Sequence, residues 1–278
     1  MVSKIESNSL DSDKDKSLLK IDMHVHTTCS KHPFWGVDAM SCPKEVIKRA
    51  IKLGLDGIAV TDHNTTRGGL KIAKMVKEHG LQDKLIVITG TEIKSKNGDI
   101  LAYGIEKDIS PRMWGIETIE RIQDESALAF VAHPFKGKFF NYYYGGKSSW
   151  LKQKRRVKFD GIESFNAAAS VPANEMADKL ASILKVSRTG GSDAHILSHI
   201  GHGLTYVDTS DFTMDGVIEA IRKGKTQVKG VNYTISRPLK LYFYKLVQLI
   251  RRSFGKGYNS CQLKQNPLAF NIFNLEIF

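Results

Sequence analysis

Leu18-Leu-Lys-Ile-Asp22-Met-His24-Val-His26 is an apolar run that ends in two histidines one residue apart. In an extended chain successive side chains alternate faces, so His24 and His26 lie on one side and aim two ring nitrogens at one point. A single His-x-His of this kind is a weak signal, more often explained by satisfied core histidines. The context recurs, however. Apolar runs over 57–63, 85–92, 127–133 and 186–195 close on Thr61-Asp62-His63-Asn64, Gly90-Thr-Glu92, Ala132-His133-Pro134 and Gly191-Ser-Asp193-Ala-His195. Asp193 and His195 share a face if their strand continues through them. Core packing does not place polar groups at the same end of strand after strand, whereas the strand ends of α/β barrels carry chemistry. Imidazole and carboxylate are the natural ligands of Zn, Mn or Fe(II), and apart from nearby Cys29 no thiol joins them.

Outward from these blocks the pattern predicts strands over Leu19–Val25, Gly57–Thr61, Leu85–Thr89, Asp99–Gly104, Leu128–Ala132, Gly161–Phe165, Val186–Thr189 and Gly203–Val207. Helical periodicity predicts helices over Pro43–Lys52, Gly69–His79, Ile116–Asp124, Asn174–Leu184 and Met214–Arg222. Ser41-Cys-Pro43-Lys-Glu45 offers a helix start with an early proline, and Gly54 and Gly57 fall where a helix must stop and hand over to a strand. This alternation implies an α/β class with a parallel sheet closed into a barrel, and the polar blocks mark its C-terminal mouth.

With 278 residues, 41% hydrophobic and 25% charged, the chain can bury a core without staples. Its three cysteines, Cys29, Cys42 and Cys261, are widely spaced and form no C-x-x-C, which suits a reducing compartment. No apolar run approaches a membrane span and no leader pattern opens the chain, so the expected location is cytoplasmic. The net charge of +12 points to anionic partners, with a solvated lysine coat as the plain alternative. Residues 1–17 read as a disordered polar tail ahead of a barrel spanning 18–237. Between Lys136 and Lys158 lie eight Lys or Arg, no acidic residue and six aromatics, a composition suited to single strands or nucleobases or, more plainly, to a packed loop. From 238 to 278 the chain carries a basic amphipathic segment able to dock on the barrel, a second subunit or an anionic surface.

Taken together, His24-Val-His26-Thr-Thr-Cys-Ser30, Ala59-Val-Thr-Asp62-His63-Asn-Thr65, Gly90-Thr-Glu92-Ile93, Ala132-His133-Pro-Phe135, Gly161-Ile-Glu-Ser-Phe-Asn166-Ala167 and Gly191-Ser-Asp193-Ala-His195 resemble, in order, the motifs of the polymerase and histidinol phosphatase (PHP) superfamily. The likeness covers roughly residues 21–225. It implies a distorted (β/α)7 barrel with metals at the C-terminal mouth. It further implies one ion on His24, His26, Glu92 and Asp193, a second bridged by Glu92 to His133, and a third on His63 and His195 joined by His32. Family members frequently carry a histidine where this chain has Asp99; an aspartate there either ligates, favouring Mn or Mg over Zn, or caps the turn.

The expected activity is hydrolysis of a phosphate ester by a metal-activated water. The cofactors would be two or three divalent ions: Mn, Zn or Fe, with Mg also compatible. Asp193, His195 and Glu92 would carry the catalysis, Arg67 and Lys136 would anchor phosphate, and Asp62 would orient a ligand histidine. The expected substrate is a nucleotide or oligonucleotide end. A small-metabolite phosphatase of the histidinol-phosphate kind, or a nucleic-acid-binding module with a structural metal site, are the alternatives.

Overall fold

The computed structural model describes residues 18–31, 38–136 and 158–233. His32, the expected N-terminal tail, nearly all of the 136–158 insert and the C-terminal segment lie outside them.

The strands are β1 (Leu18–Val25), β2 (Gly57–Val60), β3 (Ile86–Ser95), β4 (Gly98–Tyr103), β5 (Leu128–Val131), β6 (Gly161–Asn166), β7 (Ser187–Gly191), β8 (Gly203–Asp208) and β9 (Thr226–Gly230). The helices are α1 (Pro43–Lys52), α2 (Arg67–Glu78), α3 (Gly115–Asp124), α4 (Val171–Leu184) and α5 (Met214–Arg222). Proline in the first turn starts α1 and α4, where a missing N–H costs nothing. Thr213 caps α5 by accepting the Gly216 N–H at 3.1 Å.

All the strands belong to one sheet in the order β7-β6-β5-β4-β3-β2-β1-β8-β9. Parallel pairing joins β1 to β2 to β3 and β5 to β6 to β7, while β4 runs antiparallel between β3 and β5. The sheet curls until its ends nearly meet. At the mouth, His26 N donates to Ala194 O at 3.0 Å; deeper, Gly190 N donates to Thr205 Oγ1 at 2.8 Å, and that hydroxyl donates back to Gly190 O at 2.9 Å. Glycine is required at this seam, because a Cβ on Gly191 would lie 2.3 Å from the Cβ of His24.

Period-two alternation sorts the apolar side chains. Leu101, Tyr103, Leu128, Phe130, Ile86, Ile88 and Ala59 meet in one cluster. Their neighbours Ile100, Ala102, Ala129 and Val131 pack on Ile119 and Ile122 of α3 and on Ala177 and Leu180 of α4, while Ile58 and Val60 pack on α1 and α2. Each fully buried side chain of this size contributes about 1.5–3 kcal/mol, which makes the mouth, where polar groups replace them, the unusual part of the barrel.

Two elements depart from expectation. The third strand does not stop at Thr89 but continues to Ser95 and folds back on β4 as a hairpin, pairing Glu92 with Leu101 and Lys94 with Asp99. β9 was not foreseen; its side chains are mostly exposed, so no buried alternation announces it. No helix among the described residues is long and apolar enough to cross a membrane.

Candidate metal centre

The mouth is built around Glu92. Its Oε2 lies 3.3 Å from His24 Nε2, 3.4 Å from His26 Nε2 and 3.0 Å from His63 Nδ1, and its Oε1 lies 3.0 Å from His133 Nε2. One carboxylate thus faces histidines from β1 and from the segments after β2 and β5.

His24 and His26 do share a side, with their Nε2 atoms 3.0 Å apart. Asp193 Oδ1 joins them at 3.3 Å from His26 and 3.7 Å from His24. Strand alternation is not what brings Asp193 and His195 here, because β7 ends at Gly191 and Asp193 adopts φ 54°, a left-handed turn. The Tyr233 hydroxyl, 2.7 Å from Ser192 O and 3.1 Å from Asp193 O, and Asp22 Oδ1, which accepts the Ser192 N–H at 2.9 Å, pin that turn.

A second group is Glu92, Asp99 and His133, whose ligand atoms lie within 4.8 Å of one another. Because β4 is antiparallel, its first residues are the ones that reach the mouth, which is how Asp99 arrives. Asp99 is paired: its Oδ2 is 2.5 Å from Lys94 Nζ and 4.0 Å from His133 Nε2, while the turn itself is bridged by Ser95 Oγ.

His26, His63 and His195 form a third group. The carboxylate facing it is Asp38, with Oδ2 3.2 Å from His63 Nε2 and 3.7 Å from His195 Nε2. Sequence reading passed over Asp38 in favour of His32, since no motif surrounds it; the only available signal was an acidic residue shortly before the α1 proline.

Glu163, in the Gly161–Ala167 motif, also faces the site. Its Oε1 is 2.8 Å from His24 Nδ1, and its Oε2 accepts the His133 N–H at 2.8 Å and an Asn166 Nδ2 hydrogen at 3.1 Å. A carboxylate can only accept, so His24 carries a hydrogen on Nδ1 toward Glu163 and turns Nε2 toward the cluster. Asp62, expected in that orienting role, instead accepts Thr27 N at 2.5 Å and Thr27 Oγ1 at 2.7 Å, latching the turn that follows His26.

The two expected phosphate anchors part company. Lys136 pairs with Asp193 Oδ2 inside the mouth. Arg67 opens α2 with an exposed side chain that makes no ion pair or side-chain hydrogen bond among the described residues.

Electrostatics separate the histidines. Burial opposes charge on His24, but Glu163, Asp193 and Glu92 outweigh it and raise its pKa well above the usual value. The same contest, with Glu92 the largest favourable charge, lifts His63 to about 9. His195 goes the other way, to about 4, through burial and the neighbouring His26. Burial alone would push Glu92 up, yet His63, Lys94 and His24 hold it well below the carboxylate range; Asp193 is held down by Lys136 and His24 against the same burial.

The donor set suits divalent cations. Asp38, Glu92, Glu163 and Asp193 are each 3% exposed or less, and buried carboxylates at this density require opposing charge. The buried Oδ1 of Asp38 has no hydrogen-bond partner among the described residues. Nitrogen and oxygen ligands without thiolate are what borderline and harder divalent ions take.

Comparison with known proteins agrees with this architecture. A family model described as PHP-associated (PHP_C) matches residues 171–226. An uncharacterised protein of Methanocaldococcus jannaschii is 36% identical over 121 residues, 42% of this chain and 68% of that protein. A 5'-3' exoribonuclease of Salmonella typhimurium is 31% identical over 91 residues, 32% of this chain and 28% of the exoribonuclease. Among solved structures, a two-domain protein from Bacteroides vulgatus described as containing a predicted PHP-like metal-dependent phosphoesterase superposes with a TM-score of 0.62 at 18% identity, covering 88% of this chain and 74% of that one. The fold and mouth define a nearly closed α/β barrel with clusters of metal-ligand side chains at the strand ends. The chain belongs to the PHP superfamily.

Proposed function

We propose that this protein hydrolyses phosphate esters, with nucleotides or oligonucleotide ends as substrates, using two or three divalent ions held at the barrel mouth. The observation that carries the reading is the convergence of three ligand groups on the two oxygens of Glu92. In this reading His24, His26 and Asp193 hold one ion, and His63 and His195 with Asp38 hold another. Glu92, Asp99 and His133 offer a further place. Mn, Zn or Fe match the mixed imidazole and carboxylate donors.

Divalent ions held by these residues would supply an activated water and neutralise charge on the phosphoryl oxygens. The chain's own groups do the positioning. Glu163 holds the Nδ1 hydrogen of His24, fixing its tautomer. His195 directs Nδ1 to the carbonyl of Asp193 at 3.0 Å, so its Nε2 keeps a lone pair, and its lowered pKa leaves the ring neutral near pH 7. Asp193 is held by Asn166 Nδ2 at 3.2 Å and by Lys136, whose ammonium stands where an anionic phosphate oxygen would be met. Arg67, exposed at the start of α2, is retained as a second anchor.

The nucleic-acid preference is supported by the +12 charge, by the partial likeness to an exoribonuclease, and by the basic aromatic stretch that follows His133 and Phe135 in sequence. The test is a panel of short oligonucleotides, nucleoside bisphosphates and small phosphate monoesters incubated with protein loaded with Mn, Zn, Fe or Mg. Release of mononucleotide or phosphate from the first two classes supports the proposal. Turnover of sugar or amino-alcohol phosphates alone points to a metabolite phosphatase. Salt-sensitive strand binding that survives His24→Ala, without turnover, points to a binding module.

A further inference from the structure

The hairpin of β3 and β4 carries a cation of its own. Lys94 lies directly opposite Asp99 in the antiparallel register and two residues beyond Glu92, so all three side chains fall on one face. The Lys94 ammonium is 2.5 Å from Asp99 Oδ2 and 3.9 Å from Glu92 Oε1. Those are the oxygens nearest His133 Nε2, at 4.0 Å and 3.0 Å. The ammonium therefore sits on the atoms that an ion bound with His133 would need.

Lys136 makes an instructive contrast. It takes Asp193 Oδ2 and leaves Oδ1 facing His24 and His26, so that group keeps its ligand atom. At Asp99 the contested atom and the ligand atom are the same. The Lys94 backbone is tied down on both sides: its N–H donates to Asn64 Oδ1 at 2.9 Å, and its carbonyl accepts the Arg112 N–H at 2.7 Å. Its side chain is only 24% exposed, and a divalent ion sharing a carboxylate oxygen with an ammonium in so enclosed a place meets strong repulsion.

We propose that Lys94 stands in for a divalent ion beside Glu92, Asp99 and His133, so that the centre loads two ions, one on His24, His26 and Asp193 and one on the His63 and His195 side. This rests on the metal-dependent reading above. The lysine would neutralise that flank whatever the supply of metal.

Metal content decides it. The full chain is stripped with chelator, reloaded with Mn or Zn, freed of loose ions by gel filtration and analysed by elemental mass spectrometry. Two ions per wild-type chain are expected, two in Lys94→Arg, and three in Lys94→Met. His133→Ala, made in the wild-type background, keeps the count at two and tests the same point if Lys94→Met does not fold. Three ions in the wild type, a count that falls with His133→Ala, or two ions in a folded Lys94→Met overturns the proposal while leaving the metal-dependent reading intact. A wild-type chain that retains none overturns both.

Discussion

His24 and Glu163, 139 positions apart in the chain, meet at 2.8 Å through Nδ1 and Oε1, and the other oxygen of the same carboxylate receives the His133 N–H at 2.8 Å. One side chain from β6 thereby sets the tautomer of a histidine on β1 and the position of another after β5. His133 needs that restraint, since it adopts φ 24°, where a non-glycine backbone is strained.

Glu163→Gln should weaken metal binding by roughly 10–100-fold, because the charged acceptor that orients His24 and strengthens its Nε2 as a ligand is lost. Competition against a chelating dye measures this, with circular dichroism to show that the fold survives. An unchanged affinity would mean that Glu163 only braces the backbone.

Asp38→Asn should cost the ion on the His63 and His195 side and leave the one on His24, His26 and Asp193. Burial works to raise the Asp38 pKa, but the neighbouring His195 and His63 hold it far below the ordinary range, so that the carboxylate stays charged. Elemental analysis should find one ion fewer than in the wild type. His32→Ala serves as the comparison: if it alone lowers the count, the family resemblance located that ligand better than the structure does.

What could be read from the sequence follows the periodicities. Strands with one buried face and helices with an apolar stripe announce themselves, and so do the polar side chains that meet at the ends of such strands, as at His24, His26, His63 and His133. Asp38 could not be found this way, because it stands outside any strand or helix and reaches the site only once the chain has folded back over His63. Glu163 lies inside the Gly161-Ile-Glu-Ser-Phe-Asn166-Ala167 motif, yet its role depends on β6 and β1 curling toward each other across β7, a relationship with no local signature. Lys94 was overlooked because Gly90-Thr-Glu92 reads as a strand end, whereas hydrogen bonding carries β3 through it to Ser95.

Metal binding should release protons. In the metal-free chain His63 has a pKa of about 9, raised from 6.5 by Glu92 against the pull of burial, so near pH 7 it holds a proton that a cation must displace. Apparent affinity for Mn or Zn should therefore climb as pH rises from 7 to 9. Calorimetry in buffers of different ionisation heat should detect the released proton, and an affinity independent of pH would contradict the assignment. Stability of the stripped protein should run the opposite way. A folded pKa above the unfolded one gives stability that is complete below about pH 6.5 and is lost as pH rises through about 9.

Gly68→Ala should destabilise the protein although it lies in a helix, where alanine ordinarily gains about 1 kcal/mol over glycine. A Cβ at Gly68 would fall 1.8 Å from Asp62 Oδ2 and 2.5 Å from Thr27 Oγ1, the two partners that latch the turn after His26. Overpacking of this kind costs about 1–3 kcal/mol, and breaking the latch leaves Asp62 buried without its partner. The neighbouring Gly69→Ala meets nothing closer than 3.3 Å and should lose much less. Urea unfolding of the two variants reads the difference directly. If Gly68→Ala were the more stable, Asp62 and Thr27 would not be the restraint that holds the histidine strand at the mouth.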